Sequence, residues 1–241
     1  MKNVIISALC LLSCAFVMAQ ADKGDKKFEA GQYQQALYWY EKCIDNNPSA
    51  DSGYYGASQV FFLSTETVWA LMYGELFMIL SDNDSLQMKV SRQLFDAYFA
   101  GLSLNGGKAA ANYNSNIIAY SDSFERRNNF PSVFDSLMSK SAYGLRFLDI
   151  ENLTSVRSKF LSLLKANNKD FYNPLFEYWD KVKTADHWQA YNYWLFAYGN
   201  NKQAAQWITA NKDKWNGFMN WKKQNPAQFT PMHYFSRYNM E

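Results

Sequence analysis

Two glutamates, two histidines and one cysteine are the side chains whose type and position invite a catalytic reading. Glu66 and Glu75 lie in TETVWALMYGELFMILS at 65–81, and a carboxylate pair can do acid–base work on a glycosidic bond. Nine residues apart on one helix, they point to opposite sides. Glu75 alone, set in LMYGELF, is either a buried acid with a raised pKa or the partner of a Tyr, Lys or Arg on an adjacent helix. His187 and His233 have no companion at metal-ligand spacing, and His187 beside Asp186 reads as the neighbour of a helix cap. Cys43 occupies a small-residue packing position, which marks it as a buried structural thiol. SDND at 81–84 has the opening of a calcium loop but lacks its glycine, and Gln93 stands where the bidentate acid belongs, so helix capping accounts for it better. Neither a glycine-rich phosphate cradle nor a Gly-x-Ser-x-Gly elbow occurs in the sequence. The expectation is no catalysis, no cofactor and no metal, with a small helical hydrolase using Glu75 as the weakest functional alternative.

The gross numbers narrow the possibilities further. Residues 1–19, MKNVIISALCLLSCAFVMA, have a charged start at Lys2, an apolar run from Val4 to Val17 and small-residue spacing before Gln20. That is the layout of a cleavable secretory signal, so the protein is expected to be exported, to the periplasm or beyond. A lipid anchor at Cys14 is the lesser alternative, because the residues after Cys14 stay apolar where a tether is polar. Signal removal takes Cys10 and Cys14 with it, so no disulfide within the mature chain is expected. Lys and Arg number 24 against 22 Asp and Glu, and such near-neutrality argues against nucleic acid. Aromatics make up 18% of the chain; most suit gaps between helices, while Tyr and Trp also suit surfaces that stack on sugars or peptides.

Helical periodicity runs almost throughout. Tyr33, Ala36, Leu37, Tyr40 and Ile44 form one stripe, with Gly31 before it and Asn46-Asn47-Pro48 after it. The helix at 65–81 follows Ser64 as N-cap and is apolar on almost every side, so it is expected to be buried. Asp84 with Gln87 gives a capping-box start to the next helix, which the loop NGGK at 105–108 ends. Residues 109–130 predict only a short helix around Ile117–Arg126. Pro131 suits a first helical turn, and further helices are predicted at 131–144, 152–166, 174–184, 186–198, 202–210 and 213–224. No sustained alternation and no Asn-Gly hairpin between two alternating runs is evident, so the fold class is all-α.

Residues 31–48 resemble the second helix of a tetratricopeptide repeat (TPR). The turn is at Gly31–Tyr33, small residues are at Ala36 and Cys43, the aromatic is Tyr40 and the closing proline is Pro48. DSGYYGASQVFF from Asp51 is similar to a following first helix through Tyr54, Ala57, Ser58 and Phe61. A third partial match at 185–210 uses Trp188, Tyr191, Leu195, Gly199, Ala204 and Ile208, although Asn192 and Asn211 replace small residues there. The resemblance implies an irregular right-handed solenoid of antiparallel helix pairs. Its parts would be TPR-like pairs at 20–104, a loop-rich connection at 105–130 and C-terminal pairs at 131–241, packed as one domain. It also implies a non-catalytic module that binds a protein or peptide on a concave face. Carried over by position, that face takes Tyr55, Gln59 and Phe62 from the second unit and Gln189, Tyr193 and Phe196 from the late one. A glycan-binding protein of the cell envelope is the alternative, resting on Tyr55, Tyr193 and Trp188.

Overall fold

The computed structural model describes residues 19–114 and 129–240. Residues 1–18, nearly all of the expected signal segment, and the short helix expected around 117–126 lie outside the described residues. What is described is mostly helical. Residues 19–29 form α1. They are followed by α2 (Tyr33–Asn46), α3 (Asp51–Phe62), α4 (Thr67–Leu80), α5 (Asp84–Ala100), β1 (Leu102–Asn105) and β2 (Lys108–Ala111). Then come α6 (Phe130–Ser141), α7 (Ile150–Asn167), α8 (Pro174–Thr184), α9 (Trp188–Leu195), α10 (Asn201–Ala210) and α11 (Lys212–Gln224), with short 3₁₀ turns at Lys169–Phe171 and Arg237–Asn239.

Local chemistry sets most helix ends. Asn83, one residue before the expected cap Asp84, accepts the Leu86 N–H at 3.1 Å to start α5. Gln87 turns back to the carbonyls of Met78 and Ser81 and does not close a capping box. Asn129 caps α6 ahead of Pro131, and Asn173 caps α8 directly before Pro174. Asp186 has φ 59° and ends α8, with His187 N–H reaching the Val182 carbonyl at 3.0 Å. That is a Schellman closure, so the Asp186–His187 pair finishes a helix as much as it begins one.

The expectation of no strand is corrected at 102–111, where β1 and β2 pair antiparallel with Asn105 opposite Lys108. Gly106 and Gly107 have φ of 58° and 84°, the paired positive values that a two-residue type I′ hairpin turn requires. Gly106-Gly107, the two loop residues, was the signal. Each strand has only four residues, too few for alternation to show, and KAAA by itself favours helix.

Helices α2 to α5 pack each on the next in chain order. Beyond them the order breaks: α9 packs against α7, α8, α10 and α11. One apolar cluster runs from Ala36 to Met240, with α4 at its centre, buried from Val68 to Ile79. Tyr40 fills the seam among the first three helices. A Cβ on Gly56 would stand 2.2 Å from the Tyr40 ring, and one on Gly24 would stand 2.4 Å from it. Gly56→Ala is therefore expected to lower unfolding free energy by about 1–3 kcal/mol through overpacking. Urea denaturation measures this, and an unchanged midpoint would show that the ring can swing aside.

Candidate functional site

Helix α3 presents Tyr55, Gln59 and Phe62 at intervals of four and three, one stripe along one face. Across from it α5 presents Lys89 and Gln93, and α1 adds Asp25, Phe28 and Glu29. Together with Leu63 these side chains line a cleft of about 510 Å³. A shallower cleft of about 340 Å³ shares Phe62 and Gln93 and continues past Thr67, Asp96, Ala97 and Ala100. The two make one elongated groove between α3 and α5.

Its polar groups are held in place. Gln59 and Gln93 exchange both amide hydrogen bonds, at 3.0 and 3.2 Å. Lys89 donates to the Tyr55 hydroxyl at 3.0 Å, and the Tyr55 ring packs on Phe77 with centroids 5.1 Å apart. Tyr40 donates to Asp25 at 2.7 Å, tying α1 to α2. Burial, and then that bond to Asp25, hold the Tyr40 hydroxyl far above its ordinary pKa, so it stays a neutral donor. Leu63 is 63% exposed at the groove's edge. The lining mixes aromatic and apolar side chains with Asp25, Glu29, Lys89 and the paired amides, of which Gln59 is buried and Gln93 half-buried.

The late trio is placed differently, which corrects two of its members. Tyr193 is buried and stacks on Trp207 of α10, with centroids 4.4 Å apart and planes 10° from parallel. Burial, then the carboxylates of Glu151 and Asp149, push its hydroxyl up to about 12. Phe196 is fully buried, edge-on to Tyr98 at 5.6 Å. Gln189 is half-buried, and these three residues form no exposed face. Trp188, the other aromatic of the glycan reading, donates its indole N–H to the Thr154 carbonyl at 3.0 Å and stacks on Tyr191.

Glu75 belongs to a second polar constellation, deep in the core. It is fully buried. Its Oε1 receives the Arg157 guanidinium, the Tyr191 hydroxyl and, at 2.7 Å, the Trp179 indole N–H. Arg157 also donates to the side-chain oxygen of Asn192 and lies 4.2 Å from the Trp179 ring centre, with Phe196 and Trp188 beside it. Burial is the largest single influence and works against the guanidinium's charge, but Glu75, Tyr98 and Tyr191 together outweigh it, so the Arg157 pKa rises. The arrangement joins α4 to α7, α8 and α9. With its carboxylate enclosed and shared among three donors, Glu75 is placed to hold the core and has no access to a glycosidic bond. The pairing alternative stated from the sequence is the one observed, while Arg157 was missed. Its signal was present: Arg157 stands four after Leu153 and seven before Leu164 on the apolar face of α7.

Cys43 is buried, 3.7 Å from the Ser52 hydroxyl, and burial raises its thiol pKa. His187 packs beside Trp221 and Phe218, and His233 contacts Glu177 at 2.8 Å. Among the described residues no group of three or more His, Cys, Asp or Glu is placed to hold a metal ion, and no helix is long and apolar enough to cross a membrane. No family model, curated protein or solved structure matches the chain.

Proposed function

We propose that this is an exported, non-catalytic interaction protein that takes an extended peptide segment into the groove between α3 and α5. The supporting observation is that Tyr55, Gln59 and Phe62, chosen from the repeat resemblance, line one cleft with Phe28, Lys89 and Gln93. A groove of this form suits a peptide. Phe28, Tyr55, Phe62 and Leu63 accept apolar side chains, and Gln93, which spends one amide hydrogen on Gln59, can offer the other to a backbone carbonyl. In this proposal α2 and α3 act as a TPR-like seam, and their stacking builds the groove. The peptide-binding reading is favoured over glycan recognition because, of the three aromatics offered for sugar stacking, Tyr55 alone faces the groove.

Selection of random peptides on the chain from Gln20 onward, followed by fluorescence anisotropy, tests the proposal. Phe62→Asp and Gln59→Ala are expected to weaken selected peptides by about 1–2 kcal/mol each, as central groove residues do. Tyr193→Phe, which keeps the stack on Trp207, should leave affinity unchanged. Peptides whose affinity ignores Phe62 and Gln59, or binding confined to a glycan panel run in parallel, would overturn it.

A further inference from the structure

On the far side of α4 a second cavity, of about 590 Å³, is lined by Ile79, Leu80, Tyr178, Met219 and Ala227, with Lys222 and Asp82 among its polar groups. Helices α4, α8 and α11 and the segment after α11 form its walls. Two donors there lack acceptors. The Lys222 ammonium has no hydrogen-bond or ion-pair partner among the described residues and is held 4.9 Å from the centre of the Trp194 ring. The Tyr178 hydroxyl, on a residue 4% exposed, likewise has no partner among the described residues. A half-buried ammonium and a phenolic hydroxyl beside apolar walls have no protein acceptor among the described residues, and a charged acceptor makes the stronger hydrogen bond to each.

We infer that this cavity binds the carboxylate of an otherwise apolar molecule, with Lys222 and Tyr178 donating to the carboxylate and Ile79, Leu80, Met219 and Ala227 covering the apolar body. Burial lowers the Lys222 pKa by more than the nearby Asp82 carboxylate raises it. The local charges also select against polyanions. Asp82 is exposed at the mouth, and the carbonyl end of α4 points its partial negative charge the same way. One carboxylate against Lys222, with Lys223 at the rim, roughly balances those charges, and the second charge of a phosphate or dicarboxylate is left without a partner. The site is separate from the peptide groove and does not depend on it.

Octanoate is the probe, titrated into the chain from Gln20 onward and followed by calorimetry and by tryptophan fluorescence. Octanol, octylamine and inorganic phosphate serve as comparisons. Octanoate is expected to bind, with octanol, octylamine and phosphate each weaker by about tenfold or more, the size of one charge-assisted hydrogen bond. Lys222→Met should lose about the same factor, and Tyr178→Phe a smaller one. Should Lys222→Met disturb the fold, Asp82→Asn is an independent arm on an exposed residue. It removes the repulsion and should tighten octanoate binding. Octanol binding as well as octanoate, octanoate producing no heat or fluorescence change, unaltered affinity in a folded Lys222→Met, or weaker binding in Asp82→Asn would each overturn the assignment.

Discussion

Arg157→Met is expected to lower unfolding free energy by about 3–5 kcal/mol, because it leaves the Glu75 carboxylate charged and buried without its counter-ion. The loss is large against the roughly 5–15 kcal/mol that holds a typical domain together. Glu75→Gln made in the Arg157→Met background should recover part of it. A glutamine keeps a side-chain oxygen for the Trp179 indole and the Tyr191 hydroxyl, which donate to Glu75 Oε1 in the native core, and it carries no charge. The variants are therefore expected to be strongly non-additive. Urea midpoints with unchanged slopes measure the three proteins. A cost below about 1 kcal/mol for Arg157→Met, or a double variant less stable than Arg157→Met, would mean that packing and not charge holds α4 to α7, α8 and α9. Among the described residues Glu75 Oε2 and Arg157 Nε have no partner. The site is therefore not fully satisfied, which supports a net recovery when both charges go.

Helical period reports which side of a segment is apolar, and that was enough to place α2, α8, α10 and α11 to within a residue or two. It does not report what lies against that side. Tyr193 and Phe196 were assigned to a concave face because a stacked repeat would leave their positions open; in the fold Trp207 of α10 covers the first and Tyr98 of α5 meets the second. Tyr55, Gln59 and Phe62 line one cleft because the seam that carries them, α2 against α3, is local in sequence. The buried charge pair joins positions separated by 82 residues. Each charged side chain on an otherwise apolar face was legible by itself, and their meeting was not. The hairpin escaped for a different reason: alanines that favour helix are held as strand by a turn of two glycines at positive φ.

The segment from Phe229 to Met240 is the other feature that local pattern could not place, and its loss is the second large effect expected. It runs across the body as a strap. Ser49 donates to the Phe229 carbonyl at 3.0 Å, and Tyr234 donates to Asp45 at 2.9 Å. Arg237 and Tyr238 both donate to Glu41, at 2.7 and 2.9 Å. Phe130 N–H donates to the Met240 carbonyl at 3.4 Å, carrying the strap from α2 to α6. Its anchor is Phe235, 1% exposed and edge-on to Tyr73 at 5.3 Å, with Trp69 also beside it. Phe235→Ala is expected to cost about 3–5 kcal/mol, the range for emptying a buried aromatic site. Arg237→Met should cost about 1–3 kcal/mol, less than a fully buried pair, because Arg237 is partly exposed and Tyr73 and Tyr238 still donate to Glu41. Deleting the chain from Phe229 onward exposes Trp69 and Tyr73 together, so native-state binding of a hydrophobic dye should rise along with the fall in urea midpoint. Phe235→Ala separates the two roles a strap can have. If it lowers the midpoint without raising dye binding, the remaining contacts still hold the segment down and Phe235 contributes only packing. If both change, that one side chain fastens the strap. An unchanged midpoint in the deletion would show that the segment lies on a body already complete without it.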